Sequence, residues 1–259
     1  MKRIIQLRLS RRLRLVFVIL LSGLLPGCEN IEISAPPPSI VWFIGFDVTT
    51  SIPANEFAEY KNIARKAVLS RLKNRDNVHI LLIDSDPEDN IKSFILNSGR
   101  TGLVEKILEI DKYIQDEIQQ SANYRGTTNI GGFLTFVKRN ISESRNERAN
   151  ATAKGATLTA EPLYVALLLT DGHPDGEQTN SGAEWHDDIH LSAWGVHDRH
   201  APAMLSLCQR SGIPEKNLQL VRLIDAGLRL ENFGLEWNRP LNEPILKSIE
   251  TKKVHTGGL

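Results

Sequence analysis

The chain has 259 residues, with 31 basic and 31 acidic side chains and a formal net charge of zero. That length holds one large domain or two small ones. The charged fraction of 24% and the aromatic fraction of 6% are ordinary for a globular protein, and without a basic excess nothing global points to nucleic acid as a partner.

The charges are nonetheless unevenly placed. Residues 1–14 carry Lys2, Arg3, Arg8, Arg11, Arg12 and Arg14 with no acidic residue. An apolar run from Leu15 to Leu25 follows, broken only by Ser22 and Gly23. A basic stretch followed by a short apolar core is the pattern of a secretory signal peptide, here residues 1–27. The run is too short for a spanning helix, which needs roughly 20 apolar residues. It ends in Leu25-Pro26-Gly27-Cys28, which resembles the bacterial lipoprotein box. That resemblance implies cleavage before Cys28, a diacylglycerol on its sulfur, and a protein anchored to a bacterial membrane facing the periplasm or the exterior. Glu29 stands where an aspartate marks retention in the inner membrane, so both membranes stay open. Lipidation would leave Cys208 as a single cysteine, and its setting in "MLSLCQR" predicts a buried, inert thiol.

Residues 28–39 include three consecutive prolines and read as a semi-rigid tether. A domain is expected over residues 40–251, with a tail at 252–259. "SIVWFIGFD" is apolar on consecutive positions and predicts a buried strand. Phe57, Tyr60, Ala64, Ala67, Val68 and Leu72 recur at helical spacing after Pro53. "NVHILLIDS" predicts a second strand and "NIKSFIL" a third. "DSDPEDN", Asp84 to Asn90, lacks the glycine and glutamate of a calcium-binding helix–loop–helix and reads as a solvated turn between them.

Leu103, Ile107, Ile110, Ile114 and Ile118 predict one amphipathic helix, and Ile130, Phe133, Leu134, Val137 and Ile141 another. Residues 145–160, rich in Asn, Ala, Thr and Gly, read as a surface loop. "PLYVALLLTDG", "IHLSAWGV" and "LQLVRLI" predict three further strands, with a helix near Ala203–Arg210 and a last one at residues 242–251. His190 falls in a strand, and His186, His197 and His200 read as surface histidines. Apolar strands alternating with helices mean a single α/β domain: a doubly wound, mostly parallel six-stranded sheet with helices on both faces. In such sheets ligands bind beyond the carboxyl ends of the strands, where strand order reverses. Asp47 and Asp171 both close an apolar strand.

Three polar segments share that edge in the expected topology: Asp47-x-Thr49-x-Ser51, Thr127-Thr128 in "RGTTNIGG", and Asp171 in "LLLTDG". Together they resemble the von Willebrand factor type A domain and its metal-ion-dependent adhesion site. The resemblance covers roughly residues 40–250 and implies a Rossmann-like fold. It implies a metal set of Asp47, Thr49, Ser51, Thr128 and Asp171, with Thr127 as the alternative to Thr128. Carboxylates and hydroxyls are hard donors suited to Mg²⁺, Mn²⁺ or Ca²⁺. The implied function is cation-bridged capture of an Asp or Glu on a protein partner, without bond chemistry. The alternative is a haloacid-dehalogenase-like phosphohydrolase with Asp47 as nucleophile. Thr49 stands where that class needs an acid.

Overall fold

The computed structural model describes residues 38–97, 99–121, 126–175, 185–186 and 189–223. The signal peptide, Cys28, the tether up to residue 37, the helix expected at 242–251 and the tail lie outside the described residues.

The first strand, β1 (Ile40–Asp47), is buried almost from end to end. It is followed by helix α1 (Ala54–Ala67), β2 (Asn77–Ile83) and β3 (Ile91–Ile95). Helix α2 (Arg100–Lys112) runs on through a π turn at Tyr113–Glu117 into a last short turn at Ile118–Ser121. Helix α3 (Ile130–Ala153), β4 (Leu163–Leu169), β5 (His190–Trp194), α4 (Ala201–Arg210) and β6 (Leu218–Val221) complete the order. The six strands form one sheet in the order β3-β2-β1-β4-β5-β6. All neighbours pair in parallel except β2 and β3, which are antiparallel. An antiparallel neighbour needs no crossover helix, and residues 84–90 suffice to turn the chain between those two strands.

Why the strands are apolar on consecutive positions is visible in the packing. Successive side chains point to opposite faces, and each face has its own core. Trp42, Ile44 and Phe46 of β1 join Val165, Leu167 and Leu169 of β4 against Phe57, Tyr60 and Ile63 of α1 and Ile110, Ile114 and Ile118. Val41 and Phe43 join Tyr164, Ala166 and Leu168 against Phe133, Leu134 and Val137 of α3 and Met204 and Leu207 of α4. At Gly45 a Cβ would stand 2.9–3.0 Å from Ile83, Leu168 and Phe133, so this glycine lets α3 settle onto the sheet.

Two element boundaries differ from expectation. The stretch 145–160 is not all loop, because α3 continues to Ala153. Its buried residues end at Ile141, and the remaining turns run beyond the core, where no apolar stripe is required. Helix α1 stops at Ala67, and the segment expected to continue to Leu72 tightens into a 3₁₀ turn at Leu69–Arg71.

Candidate functional site

The chain builds β1, β2 and β3 to one side, then crosses to β4 and builds β5 and β6 to the other. The reversal of strand order therefore lies between β1 and β4, and their carboxyl ends carry Asp47 and the Thr170-Asp171 pair. Asp47 is fully buried. Its Oδ1 accepts from the Thr49 backbone N–H at 3.1 Å and from the Thr49 hydroxyl at 2.7 Å. This side chain thus folds its own loop back, as Asp does in tight turns. Ser51 Oγ lies 3.0 Å from Thr49 Oγ1. Because the Thr49 proton goes to Asp47, Ser51 is the donor in that pair. Thr50 is exposed and outside the chain of bonds.

The second segment enters from α3. The Asn129 N–H donates to the Asp84 carbonyl at 2.9 Å, and the Asn129 side chain both caps the helix through Gly132 N–H and donates to the Ser85 carbonyl. A side-chain N-cap of this kind satisfies an otherwise orphaned helix donor. It also fixes the preceding residue, Thr128, which is 1% exposed and whose hydroxyl donates to Thr49 Oγ1 at 3.1 Å. The Thr128 N–H donates to Asp175. Thr127, by contrast, is exposed. Asp84 spends its carboxylate on its own turn, accepting from Asp86 N–H and the Asn90 amide. The segment is a turn as expected, but Asp84 is buried in it.

From the third segment comes a residue that the motif does not name. Thr170 donates its hydroxyl to Asp47 Oδ2 at 2.8 Å and accepts from Gly172 N–H at 3.0 Å. Both Asp47 oxygens are therefore held by hydroxyls and backbone, with no basic side chain. Asp171 is fully buried as well. Its Oδ1 accepts from His173 N–H at 2.9 Å, whereas its Oδ2 has no hydrogen-bond partner.

The histidines depart from expectation. His197 and His200 are half-buried rather than fully exposed, at 30% and 14% side-chain exposure. The His197 N–H donates to the Asp171 carbonyl at 2.9 Å, and His200 Nδ1 lies 3.2 Å from the same oxygen. His197 Nε2 is 3.0 Å from Glu56 of α1. One nitrogen of each ring and one Asp171 oxygen fall within 4.8 Å of one another. Spacing alone hid this group, since it forms only when the loop after β5 returns to the end of β4. His190 does lie in a strand.

Burial pushes the Asp47 carboxyl up to about 6, against the lowering effect of the Thr49 and Thr170 hydrogen bonds, and the nearby Asp171 adds to the rise. Burial also raises the Tyr60 phenol, reinforced by Asp47, Asp171 and Glu56. Its hydroxyl has no hydrogen-bond partner. The carboxyl edge of the sheet thus concentrates negative charge in a region shielded from water, where charge is costly unless compensated.

No family model and no curated protein matches this chain. Among solved structures it is similar to proximal thread matrix protein 1 of the mussel byssus, at 17% identity and a TM-score of 0.46, over 77% of this chain and 48% of that one. It is also similar to an aerotolerance-related membrane protein of Bacteroides fragilis, at 15% identity and a TM-score of 0.47, over 77% of this chain and 98% of that one. The pilus adhesin SpaC of Lactobacillus rhamnosus GG matches at 15% identity and a TM-score of 0.46, over 78% of this chain and 30% of the adhesin. The matched region spans about half of the mussel protein. The α/β assignment itself stands on the strand order and the two covered faces.

Proposed function

We propose that this chain is a membrane-anchored, extracytoplasmic binding module that captures an acidic group of a protein partner through a divalent cation. The site is read as an adhesion site of the von Willebrand factor type A kind, formed by Asp47, Thr49, Ser51, Thr128 and Asp171. One observation carries this reading: Thr128 reaches Thr49 across 79 positions of sequence, at 3.1 Å. A loop end that is merely polar has no reason to meet a second buried hydroxyl from a loop so distant in sequence.

The residues suit a hard cation such as Mg²⁺, Mn²⁺ or Ca²⁺, since all five donors are oxygen. Two buried carboxylates near each other, with Asp47 pushed up to about 6, are what a cation would compensate. When bound, such an ion supplies an electrophilic centre for a partner's Asp or Glu. Asp47 orients Thr49, Thr170 orients Asp47, and the Asn129 cap holds Thr128. The phosphohydrolase alternative loses support, because Asp47 is fully buried and both its oxygens are engaged by Thr49 and Thr170. Export and anchoring through Cys28 rest on the sequence. Among the described residues no helix is long and apolar enough to cross a membrane.

Mn²⁺ titration of the full chain, followed by electron paramagnetic resonance, tests the site. Binding is expected to be lost in Thr128→Ala and kept in Thr127→Ala. Equal binding by wild type and Thr128→Ala would rule the reading out. A partner complex that dissolves in chelator and returns with Mg²⁺ tests the bridging role.

A further inference from the structure

The hydroxyl cluster leaves part of Asp171 unused. Its Oδ2 is buried without a hydrogen bond, and 3.8 Å away stands His200 Nδ1. That separation is too long for a hydrogen bond. It exceeds by about 0.5 Å the spacing of about 3.3 Å between two ligands of a tetrahedral ion with bonds near 2.0–2.1 Å, and a metal on this nitrogen would replace the proton that it donates to the Asp171 carbonyl at 3.2 Å. His197 brings a second ring nitrogen into the same space, with all three donor atoms within 4.8 Å.

We propose that Asp171, His197 and His200 form a second cation site, for a borderline-soft divalent metal of the zinc class. The two sites share Asp171 and differ in their other donors: imidazole nitrogen favours Zn²⁺ and its neighbours, whereas alcohol oxygens favour Mg²⁺ and Ca²⁺. Two histidines and one carboxylate are three protein ligands, which leaves a fourth position open to water or to a partner's side chain.

The surrounding structure holds these donors in place. The loop after β5 is tied to Asp171 by the His197 N–H bond to its carbonyl, and the His197 carbonyl accepts from His200 N–H at 2.9 Å and Ala201 N–H at 3.0 Å. His200 therefore sits at the start of α4 with its ring turned back toward β4. His173 stacks on that ring with 4.6 Å between centroids. Glu56 accepts or shares the proton of His197 at 3.0 Å, and a carboxylate behind a ligating imidazole fixes its tautomer and raises its basicity. Tyr60, packed under Gly195, adds a second buried oxygen without a partner on this side of the sheet.

Co²⁺ serves as the probe, because its d–d absorption reports low-coordinate nitrogen ligation. The full chain is expected to bind one Co²⁺, displaced by Zn²⁺, with affinity reduced 10–100-fold or more in His200→Gln and lost in His197→Gln/His200→Gln. Thr128→Ala, which disrupts the hydroxyl site, should leave the Co²⁺ spectrum unchanged. Failure of this site and failure of the Mn²⁺ site are thereby distinguished. Absence of Co²⁺ binding by the wild-type chain overturns the proposal. So does Co²⁺ binding that survives the double substitution, which would assign it to other histidines. Should the double variant not fold, paramagnetic broadening of the His197 and His200 ring resonances in wild type decides instead: broadening supports the site, and unaffected rings overturn it.

Discussion

Thr170 donates its hydroxyl to Asp47 Oδ2 at 2.8 Å, joining the ends of two adjacent parallel strands across 123 positions of sequence. The Thr170 hydroxyl oxygen itself accepts from Gly172 N–H, so one side chain orients a buried carboxylate and also closes the turn after β4. Thr170→Val keeps the shape and removes both bonds. It is expected to destabilise the chain by about 1–3 kcal/mol, the usual cost of leaving buried polar groups unsatisfied. Urea unfolding should show a lower midpoint with an unchanged slope.

Asp47 gives the metal-free chain a pH dependence whose sign is fixed. Its folded value, about 6, lies above the ordinary 3.8. The native state therefore holds a proton that the unfolded chain has released between those values. Stability from this group is fully present below about pH 4 and is lost as pH rises through 6, by at most about 3 kcal/mol. In chelator, the unfolding free energy of wild type should fall across that window relative to Asp47→Asn. Parallel pH profiles for the two chains would refute the assignment.

Gly195 sits at φ +99, where a side chain is strained, and a Cβ there would run into the ring and hydroxyl of Tyr60. Gly195→Ala is expected to cost more than about 2 kcal/mol, combining backbone strain with overpacking. Gly212→Ala is the comparison, since Gly212 also has a positive φ but nothing stands within 4 Å of its Cβ position. The difference in melting temperature between the two variants isolates the contact with Tyr60.

Cys208 is fully buried in α4, and burial alone pushes its thiol up to about 12. A thiol reacts as the thiolate. In a Cys28→Ser chain at pH 8, Cys208 should resist alkylation while folded and react on addition of denaturant. Fast labelling of the native chain would contradict the packing described.

The strands were legible because two covered faces demand apolar residues on consecutive positions, as Trp42, Phe43 and Ile44 illustrate. Asp47 and Asp171 were legible as strand ends, and Thr128 as the start of a helix. The last turns of α3 were not, because no residue beyond Ile141 is buried and the pairings there, such as Arg145 with Glu161, leave no apolar periodicity. Nor was Thr170, whose role depends on β1 and β4 being neighbours. The partial burial of His197 and His200 leaves no sequence signal for a related reason: they lie in a loop, and only its return to Asp171 takes them partly out of solvent.

The seam between β1 and β4 has a consequence for when the site exists. Thr49 meets Thr128, and Asp47 meets Thr170, only after strands distant in sequence have paired. An unfolded chain holds no such arrangement, so an ion bound there adds its binding energy to the folded state alone. At 100 times its dissociation constant that amounts to about 2.7 kcal/mol. The affinity of such an ion would then gauge how completely the sheet has closed, and a chain with β4 loosened would lose the arrangement of Asp47, Thr49 and Thr128 together with its stability.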